Sequence, residues 1–190
     1  MEQTEVKLER YVIESGLSRF TVRAFAGGML SALGHNPTFA IRDFTGEIRL
    51  SEAALPEASL SLSINAASLT LQDDISEQDR KEIERTMNRD VLDSGRFPKI
   101  EFKSVSASVN KAGESRYSIN INGNLTLRSQ THSQAVPAQV SVQSDTLRAN
   151  GEFALLQSKY GIKPISFAGG TLKLKDELKF TFDIVARRQE

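Results

Sequence analysis

Residues 171–187 read TLKLKDELKFTFDIVAR, and apolar and polar side chains alternate along almost the whole stretch. Apolar residues occupy the even positions Leu172, Leu174, Leu178, Phe180, Phe182, Ile184 and Ala186. A period of two places the two sets on opposite faces of a β-strand, so one face is dry and the other is wet. Asp176 interrupts the apolar face. We expect the regular strand to begin after it; otherwise Asp176 is a buried acid that needs a partner.

The same alternation returns in two other parts of the chain, 60–65 and 117–127. With weaker patterns it predicts strands at 7–14, 19–26, 38–43, 46–50, 58–68, 98–109, 117–128, 135–143, 146–156 and 172–186. Long antiparallel strands with one apolar face must wrap around a shared interior. We therefore predict an all-β antiparallel barrel, because closure removes exposed strand edges, with a sandwich as the alternative. Periodicity does not separate a barrel filled by its own side chains from one that holds a ligand.

Two segments are typical of helices rather than strands. The main helix is predicted at 76–92, where Ile83, Met87 and Val91 recur at a spacing of four between charged residues. Ser76 and Asp79 resemble a capping box at its start. One apolar stripe indicates that this helix packs across an end or a flank of the barrel. A short second helix is predicted at 29–33, between glycines.

The composition predicts one domain spanning residues 1–190 and excludes several classes of function. Lys and Arg number 24, and so do Asp and Glu, so the net charge of zero gives no electrostatic footprint for nucleic acid or an anionic lipid surface. The chain has no Cys, which excludes disulfides, thiolate catalysis and Cys-based metal sites. The N-terminal residues lack the apolar run of a signal peptide, and no stretch reaches the ~20 apolar residues of a membrane span. We therefore expect a cytoplasmic protein, or a periplasmic one if the chain is a processed form.

Candidate catalytic residues are few. The chain has two histidines, His35 and His132, and a metal site would need both of them together with carboxylates such as Asp43 or Asp176. His35 is expected in a turn that leads into a strand, and His132 in a solvated hairpin connection. No GxSxG, GxGxxG or Walker motif is present, so the sequence predicts no catalytic constellation, no metal site and no cofactor.

Several segments resemble the YceI family of lipocalin-like, polyisoprenoid-binding barrels. The matching segments span nearly the whole chain: 11–14, 18–22, 34–36, 44–48, 79–83, 91–93, 96–104, 123–127 and 160–164. The most specific one ends in Phe97-Pro98-Lys99-Ile100-Glu101-Phe102-Lys103-Ser104 and is followed by the strand Gly123-Asn124-Leu125-Thr126-Leu127. In the family a short Gly-containing turn follows Leu-Thr-Leu. Here Arg128-Ser129-Gln130-Thr131 intervenes, which leaves the geometry of this hairpin open.

The resemblance implies an extended barrel whose elongated apolar interior holds an isoprenoid chain, such as a quinone tail or a polyprenyl lipid. A tail of ~20 carbons, at about 0.8 kcal/mol for each buried CH2, would exceed an association cost of ~4 to 15 kcal/mol. Tail contacts are predicted for the residues of the apolar faces, namely Phe20, Val22, Phe39, Ile41, Leu62, Ile64, Ile83, Met87, Phe102, Leu125, Phe180 and Phe182. His35 and Asn36 are predicted to meet a polar head at the mouth.

We therefore expect a protein without catalytic activity that carries or sequesters a long-chain isoprenoid lipid or quinone. Two alternatives remain open. One is a filled barrel that acts as a protein interaction module, and the other is an enzyme that uses His35 as a general acid or base. A homodimer is compatible with the sequence, and nucleic acid is not an expected partner.

Overall fold

The alternating stretch near the C terminus forms the longest strand in the described part of the protein, Leu172–Gln189. The computed structural model describes residues 7–27, 36–167 and 172–190. Within these ranges the strands are β1 (Glu9–Ile13), β2 (Arg19–Gly27), β3 (Thr38–Ile41), β4 (Phe44–Leu50), β5 (Ser59–Asn65), β6 (Leu69–Leu71), β7 (Lys99–Gly113), β8 (Arg116–Leu127), β9 (Gln130–Gln143), β10 (Thr146–Leu156), β11 (Ser166–Phe167) and β12 (Leu172–Gln189). Short 3-10 turns occupy Leu55–Glu57, Ala66–Ser68 and Gln157–Tyr160.

The predicted main helix is present. It consists of α1 (Glu77–Thr86) followed by a π-helical turn at Met87–Val91. Ser76 caps its start, because the Ser76 hydroxyl accepts a hydrogen bond of 3.1 Å from the N–H of Asp79. The shorter helix predicted at 29–33 lies outside the described residues.

Strand β12 closes the sheet into a barrel because it is paired on both sides. Along one side it pairs with β10, from Thr146↔Arg187 to Leu156↔Glu177. Along the other side it pairs with β2 and then, nearer its C-terminal end, with β1. Strands β1 and β2 therefore lie one after the other at the same position around the barrel. The same holds for β4 and β3, and for β5 and β6. In the described residues this gives eight antiparallel positions, which confirms the predicted barrel over the sandwich.

Asp176 lies inside β12, so the expectation that the strand begins after this residue is wrong. The pairing of β12 with β2 shifts between Leu174, opposite Ala26, and Leu178, opposite Ala24. The bulge thus adds two residues to β12, and Leu174 and Leu178 keep the same inward parity. The Asp176 carboxylate accepts hydrogen bonds from the backbone N–H of Ser158 at 2.7 Å and from its hydroxyl at 2.6 Å.

The hairpin left open by the resemblance is a tight two-residue turn. Arg128 and Ser129 both adopt the left-handed region, with φ of 49° and 59°, and Leu127 pairs directly with Gln130. Two consecutive positive φ values are the signature of the type I′ hairpin turn. Strand β9 therefore begins at Gln130 rather than at the predicted residue 135.

One stretch of the barrel wall is made by α1 instead of a strand. Strand β5 pairs with β7, whereas β6 pairs with β3 and, in the described residues, has no strand on its other side. The N–H of Leu71 in β6 donates to the Glu84 carboxylate at 2.8 Å. The Arg80 guanidinium donates to the carbonyls of Leu71 and Asp73, at 2.7 Å to the latter. Arg80 and Glu84 lie one turn apart on α1, so the helix offers the edge of β6 the donor and the acceptor that a neighbouring strand would offer.

Four buried phenylalanine rings of the core form a set that we call the aromatic layer: Phe20, Phe44, Phe102 and Phe182. The Phe20 ring lies 4.7 Å from that of Phe44 and 6.3 Å from that of Phe182, between ring centroids. Phe102 and Phe182 pack over glycines. A Cβ atom added at Gly123 would lie 2.8 Å from Phe102 Cε2, and one added at Gly151 would lie 2.7 Å from Phe182 Cζ. The two glycines therefore make room for the rings.

Replacement of Gly123 by Ala is expected to destabilise the fold by about 1–3 kcal/mol, because the added methyl group overpacks the aromatic layer. The new carbon would also approach the Lys103 carbonyl oxygen to 2.5 Å, and a backbone atom has little freedom to move. Urea unfolding measures the effect. Gly113→Ala is the matched control, since its Cβ would meet only Arg116 side-chain atoms, the nearest at 3.6 Å. Equal unfolding free energies for the two variants would contradict this packing.

Replacement of Glu84 by Ala is expected to free the edge of β6 from α1. A hydrogen bond to a charged group contributes about 1.5–3 kcal/mol, so the unfolding free energy should fall by this order. Amide hydrogen exchange at Leu71 should accelerate, because that N–H loses its acceptor. The control is Glu82→Ala, at an exposed helix position. An unchanged exchange rate at Leu71 in Glu84→Ala would show that the helix does not hold this edge.

Candidate functional site

The half of the barrel covered by α1 encloses a cavity of about 310 Å³. Six predicted inward-facing residues line it: Val22, Phe39, Ile83, Met87, Leu125 and Phe180. They come from β2, β3, α1, the π-helical turn, β8 and β12, so elements far apart in the sequence share one apolar space. The volume falls at the lower end of the range of about 300–1,000 Å³ that is typical of small-molecule sites.

The helix forms one wall of this cavity. Ile83, Met87 and Val91 all line it, as their spacing of four residues predicts. Met87 is buried, while Ile83 and Val91 are partly buried against the core. Leu92, which follows the π-helical turn, is also buried and lines the same wall.

A second wall is built by the end of β10 and the chain that follows it. Leu155, Ile162 and Ile165 line the cavity there. Gly161 adopts a left-handed conformation with φ of 68°, and the buried residues Tyr160 and Ile162 flank it. Gln157 is 4% exposed, and its side-chain amide donates to the Lys175 carbonyl at 2.9 Å, which satisfies one of its polar groups.

The lining is apolar apart from three side chains, Asp73, Thr86 and Gln157. Among the described residues that line the cavity there is no Lys, Arg or His. Asp73 is half-buried and lies just beyond β6, where its backbone carbonyl accepts the bond from Arg80. The site can therefore accept a hydrocarbon chain, with one acidic group beside it.

The other predicted contact residues do not line this cavity. Phe20, Phe102 and Phe182 belong to the aromatic layer, and Phe182 also borders a second cavity of about 50 Å³ on the far side of that layer. Ile41 and Ile64 are buried in the core, and Leu62 packs against it.

The two residues predicted for the mouth have different outcomes. The Asn36 side-chain oxygen accepts a hydrogen bond of 2.9 Å from the N–H of Ala26, which attaches Asn36 to β2. Asn36 is not among the residues that line the cavity. His35 lies outside the described residues.

Several lining residues were not predicted. Leu69 lies in the three-residue strand β6, which is too short to show a period, and Leu155 follows the alternation of β10 but is not among the predicted contacts. Ile162 belongs to a segment on which the resemblance rests, and its burial was not apparent from that motif. Asp73 and Gln157 carry no sequence signal that would have found them.

His132 is not in a solvated connection, so that expectation is wrong. Because the turn before β9 has only two residues, His132 lies within β9, opposite the inward-facing Leu125. Its ring packs edge-on against Tyr160, with 5.0 Å between ring centroids. Its Nε2 atom is buried and has no hydrogen-bond partner among the described residues. Burial raises the pKa of the Tyr160 hydroxyl.

The opposite end of the barrel is polar. A pocket of about 440 Å³ lies there between the ends of the strands, and Glu9, Tyr11, Glu52 and Arg188 line it. Burial, together with the hydrogen bond of 2.8 Å that Tyr11 donates to Glu9, raises the pKa of Tyr11 to about 12. Arg188 forms ion pairs with Glu9 at 2.9 Å and with Asp145. These charges are largely balanced within the protein, and the pocket does not suit a hydrocarbon chain.

Two negative observations concern metals and membranes. The described residues contain no group of three or more His, Cys, Asp or Glu side chains that could hold a metal ion. None of the helical segments in the described ranges combines the length and the apolarity that a membrane-crossing helix requires.

Comparison with known proteins identifies a family and a fold. The model of the YceI-like domain matches residues 11–186. The crystal structure of BcnA from Burkholderia cenocepacia superimposes with a TM-score of 0.69 and 18% identity, covering 91% of this chain and 98% of BcnA. A polyisoprenoid binding domain from Saccharophagus degradans, implicated in plant cell wall breakdown, superimposes with a TM-score of 0.68 and 11% identity, covering 96% and 100%. For the YCEI protein of Campylobacter jejuni the TM-score is 0.61 and the identity 14%, covering 80% and 85%. At these identities the structures support the fold alone, and a search of curated proteins returned no match.

Proposed function

The chain belongs to the YceI-like family, and from this premise we propose that it binds the hydrocarbon chain of an isoprenoid lipid in the cavity beneath α1. The observation that carries the proposal is the lining of that cavity, in which aliphatic, aromatic and thioether side chains surround about 310 Å³. Such a site recognises a ligand mainly by the removal of apolar surface from water. We propose a carrier or a sequestering protein without catalytic activity.

One structural neighbour supports the choice of ligand. The Saccharophagus degradans protein that shares this fold is described as a polyisoprenoid binding domain. Isoprenoid chains consist of methyl-branched, unsaturated hydrocarbon. The branched and aromatic side chains of the lining, such as Val22, Phe39 and Leu125, offer complementary apolar contacts.

The volume limits how much of a ligand the cavity holds. Since a cavity of about 150 Å³ in another protein binds benzene, a space of twice that size holds roughly a dozen carbons, or two to three isoprene units. At about 0.8 kcal/mol for each buried CH2, that chain contributes about 10 kcal/mol, which is comparable to the association cost of ~4 to 15 kcal/mol. A tail of ~20 carbons would have to extend beyond this space, through the mouth or past the aromatic layer.

The two alternative functions have less support. The first alternative, an interaction module, requires a barrel filled by its own side chains. Only the half beyond the aromatic layer is filled in this way, with a remaining cavity of about 50 Å³. An enzyme would need reactive groups facing the ligand. The lining offers three polar residues, Asp73, Thr86 and Gln157. The side-chain amide of Gln157 already donates to a backbone carbonyl, so the lining favours binding over catalysis.

Extraction of the purified protein with organic solvent, followed by mass spectrometry, tests the proposal directly, with a denatured and delipidated sample as the control. Delipidated protein is then titrated with farnesol and with geranylgeraniol. We expect saturable uptake of one molecule per barrel. A folded, delipidated protein that takes up neither alcohol would overturn the proposal.

A cavity-filling variant locates the site. Leu125→Trp is expected to weaken farnesol binding at least about tenfold, a change of roughly 1.4 kcal/mol, because the indole occupies the space of the tail. Asn124→Trp is the matched control, since the neighbouring side chain in β8 is exposed. The unfolding midpoint of each variant confirms that it is folded. Unchanged affinity in folded Leu125→Trp would contradict the location.

The aromatic layer is expected to limit tail length. Phe182→Ala removes a ring of this layer that borders the smaller apolar cavity and should shift the preference toward geranylgeraniol over farnesol, at a cost of about 3–5 kcal/mol in stability. Phe182→Leu is the milder variant, with the same shift expected to be smaller. Ile184→Ala, which also borders the smaller cavity, is the control. An unchanged ratio of the two affinities in folded Phe182→Leu and Phe182→Ala would show that this ring does not limit the tail.

A further inference from the structure

We propose that the cavity selects isoprenoids whose head group is uncharged, and that Asp73 at its rim discriminates against phosphate and diphosphate heads. The inference rests on the proposed function and specifies the class of ligand, since alcohols, quinones and phosphorylated isoprenoids can share the same tail. The charges of the residues around the cavity are expected to favour uncharged head groups over phosphorylated ones.

Recognition of a phosphate requires cations or several directed N–H donors, and Arg and Lys supply them most often. The described lining offers none of these cations. Its single ionisable residue is Asp73, which has the same sign of charge as a phosphate. An anionic head at this rim would therefore be desolvated beside a like charge, which is unfavourable in the low dielectric of a protein interior.

Two arginines next to the lining, Arg80 and Arg128, donate hydrogen bonds to backbone carbonyls. The Arg80 guanidinium donates to the carbonyls of Leu71 and Asp73, where it holds α1 on the edge of β6. Arg128 donates to the Val91 carbonyl at 3.2 Å. Neither arginine is among the residues that line the cavity, and each is held to backbone carbonyls beside or within the helical segment.

The Asp73 carboxylate is not neutralised by an ion pair with any described residue, because Arg80 contacts the backbone carbonyl of Asp73 rather than its side chain. Lys163 and Lys175 neighbour lining residues in the sequence, but both are exposed and neither lines the cavity. The sequence segments outside the described ranges, MEQTEV, GMLSALGH and AGGT, contain no Lys or Arg, and their one histidine is His35.

The first experiment compares two ligands with the same tail. Delipidated protein is titrated with farnesol and with farnesyl diphosphate at low and at high salt. We expect farnesol to bind at least about tenfold more tightly at low salt, with the difference narrowing at high salt, because screening weakens the repulsion from Asp73. Equal or tighter binding of the diphosphate would overturn the inference while leaving the proposed function intact. If neither compound binds, the proposed function itself fails.

The second experiment assigns the discrimination to one residue. Asp73→Asn keeps the size of the side chain and removes its charge, and it is expected to raise affinity for farnesyl diphosphate at least about threefold with little change for farnesol. Asp74→Asn is the matched control, because the adjacent carboxylate is exposed and does not line the cavity. If Asp73→Asn is unfolded, Asp73→Ser replaces it as the variant without the charge. The assignment to Asp73 is wrong if the ratio of the two affinities stays at the wild-type value in Asp73→Asn or changes equally in Asp74→Asn.

Discussion

Backbone hydrogen bonding along β12 is the constraint on which the rest of the structure depends. An unpaired strand edge exposes a row of N–H and C=O groups, and closure of the sheet is the complete way to satisfy them. Strand β12 has 18 residues, and it meets β10 on one side and both β2 and β1 on the other. Because two short strands share one side of a long one, the barrel divides into two halves, and this division continues into β3 with β4 and β5 with β6.

The two halves differ in how the wall is completed. In one half β5 reaches β7, the strands pair fully, and the interior is filled down to a cavity of about 50 Å³. In the other half α1 stands beside β6 and attaches to it through Arg80 and Glu84. Paired strands lie about 4.8 Å apart, whereas a helix with its side chains is about 10 Å wide. The helix therefore occupies more of the wall than a strand would, and we infer that this difference leaves the cavity of about 310 Å³ open on the same side.

The sequence predicts the elements well and the site only in part, and the reason is geometric. Alternation identifies inward-facing residues, and the spacing of Ile83, Met87 and Val91 identifies the wall made by the helix. Parity says nothing about height along the barrel axis. Phe20 and Val22 share a face of β2, as Phe180 and Phe182 share a face of β12, yet one of each pair lies in the aromatic layer and the other lines the cavity. The height of each residue along the barrel axis depends on the register of the paired strands and on the space at Gly123 and Gly151. The register and this space become known only when the strands are paired in the structure.

The central claim is that an isoprenoid chain lies beneath α1 and on one side of the aromatic layer. The most direct measurement is a set of intermolecular nuclear Overhauser effects between bound farnesol and the methyl groups of the protein. The account predicts contacts to the methyl groups of Met87 and Leu125, which line the apolar cavity of about 310 Å³, and none to Ile119 or Ile121, which line the apolar cavity of about 50 Å³. Contacts to Ile119 and Ile121 without contacts to Met87 and Leu125, or contacts confined to exposed residues, would contradict it.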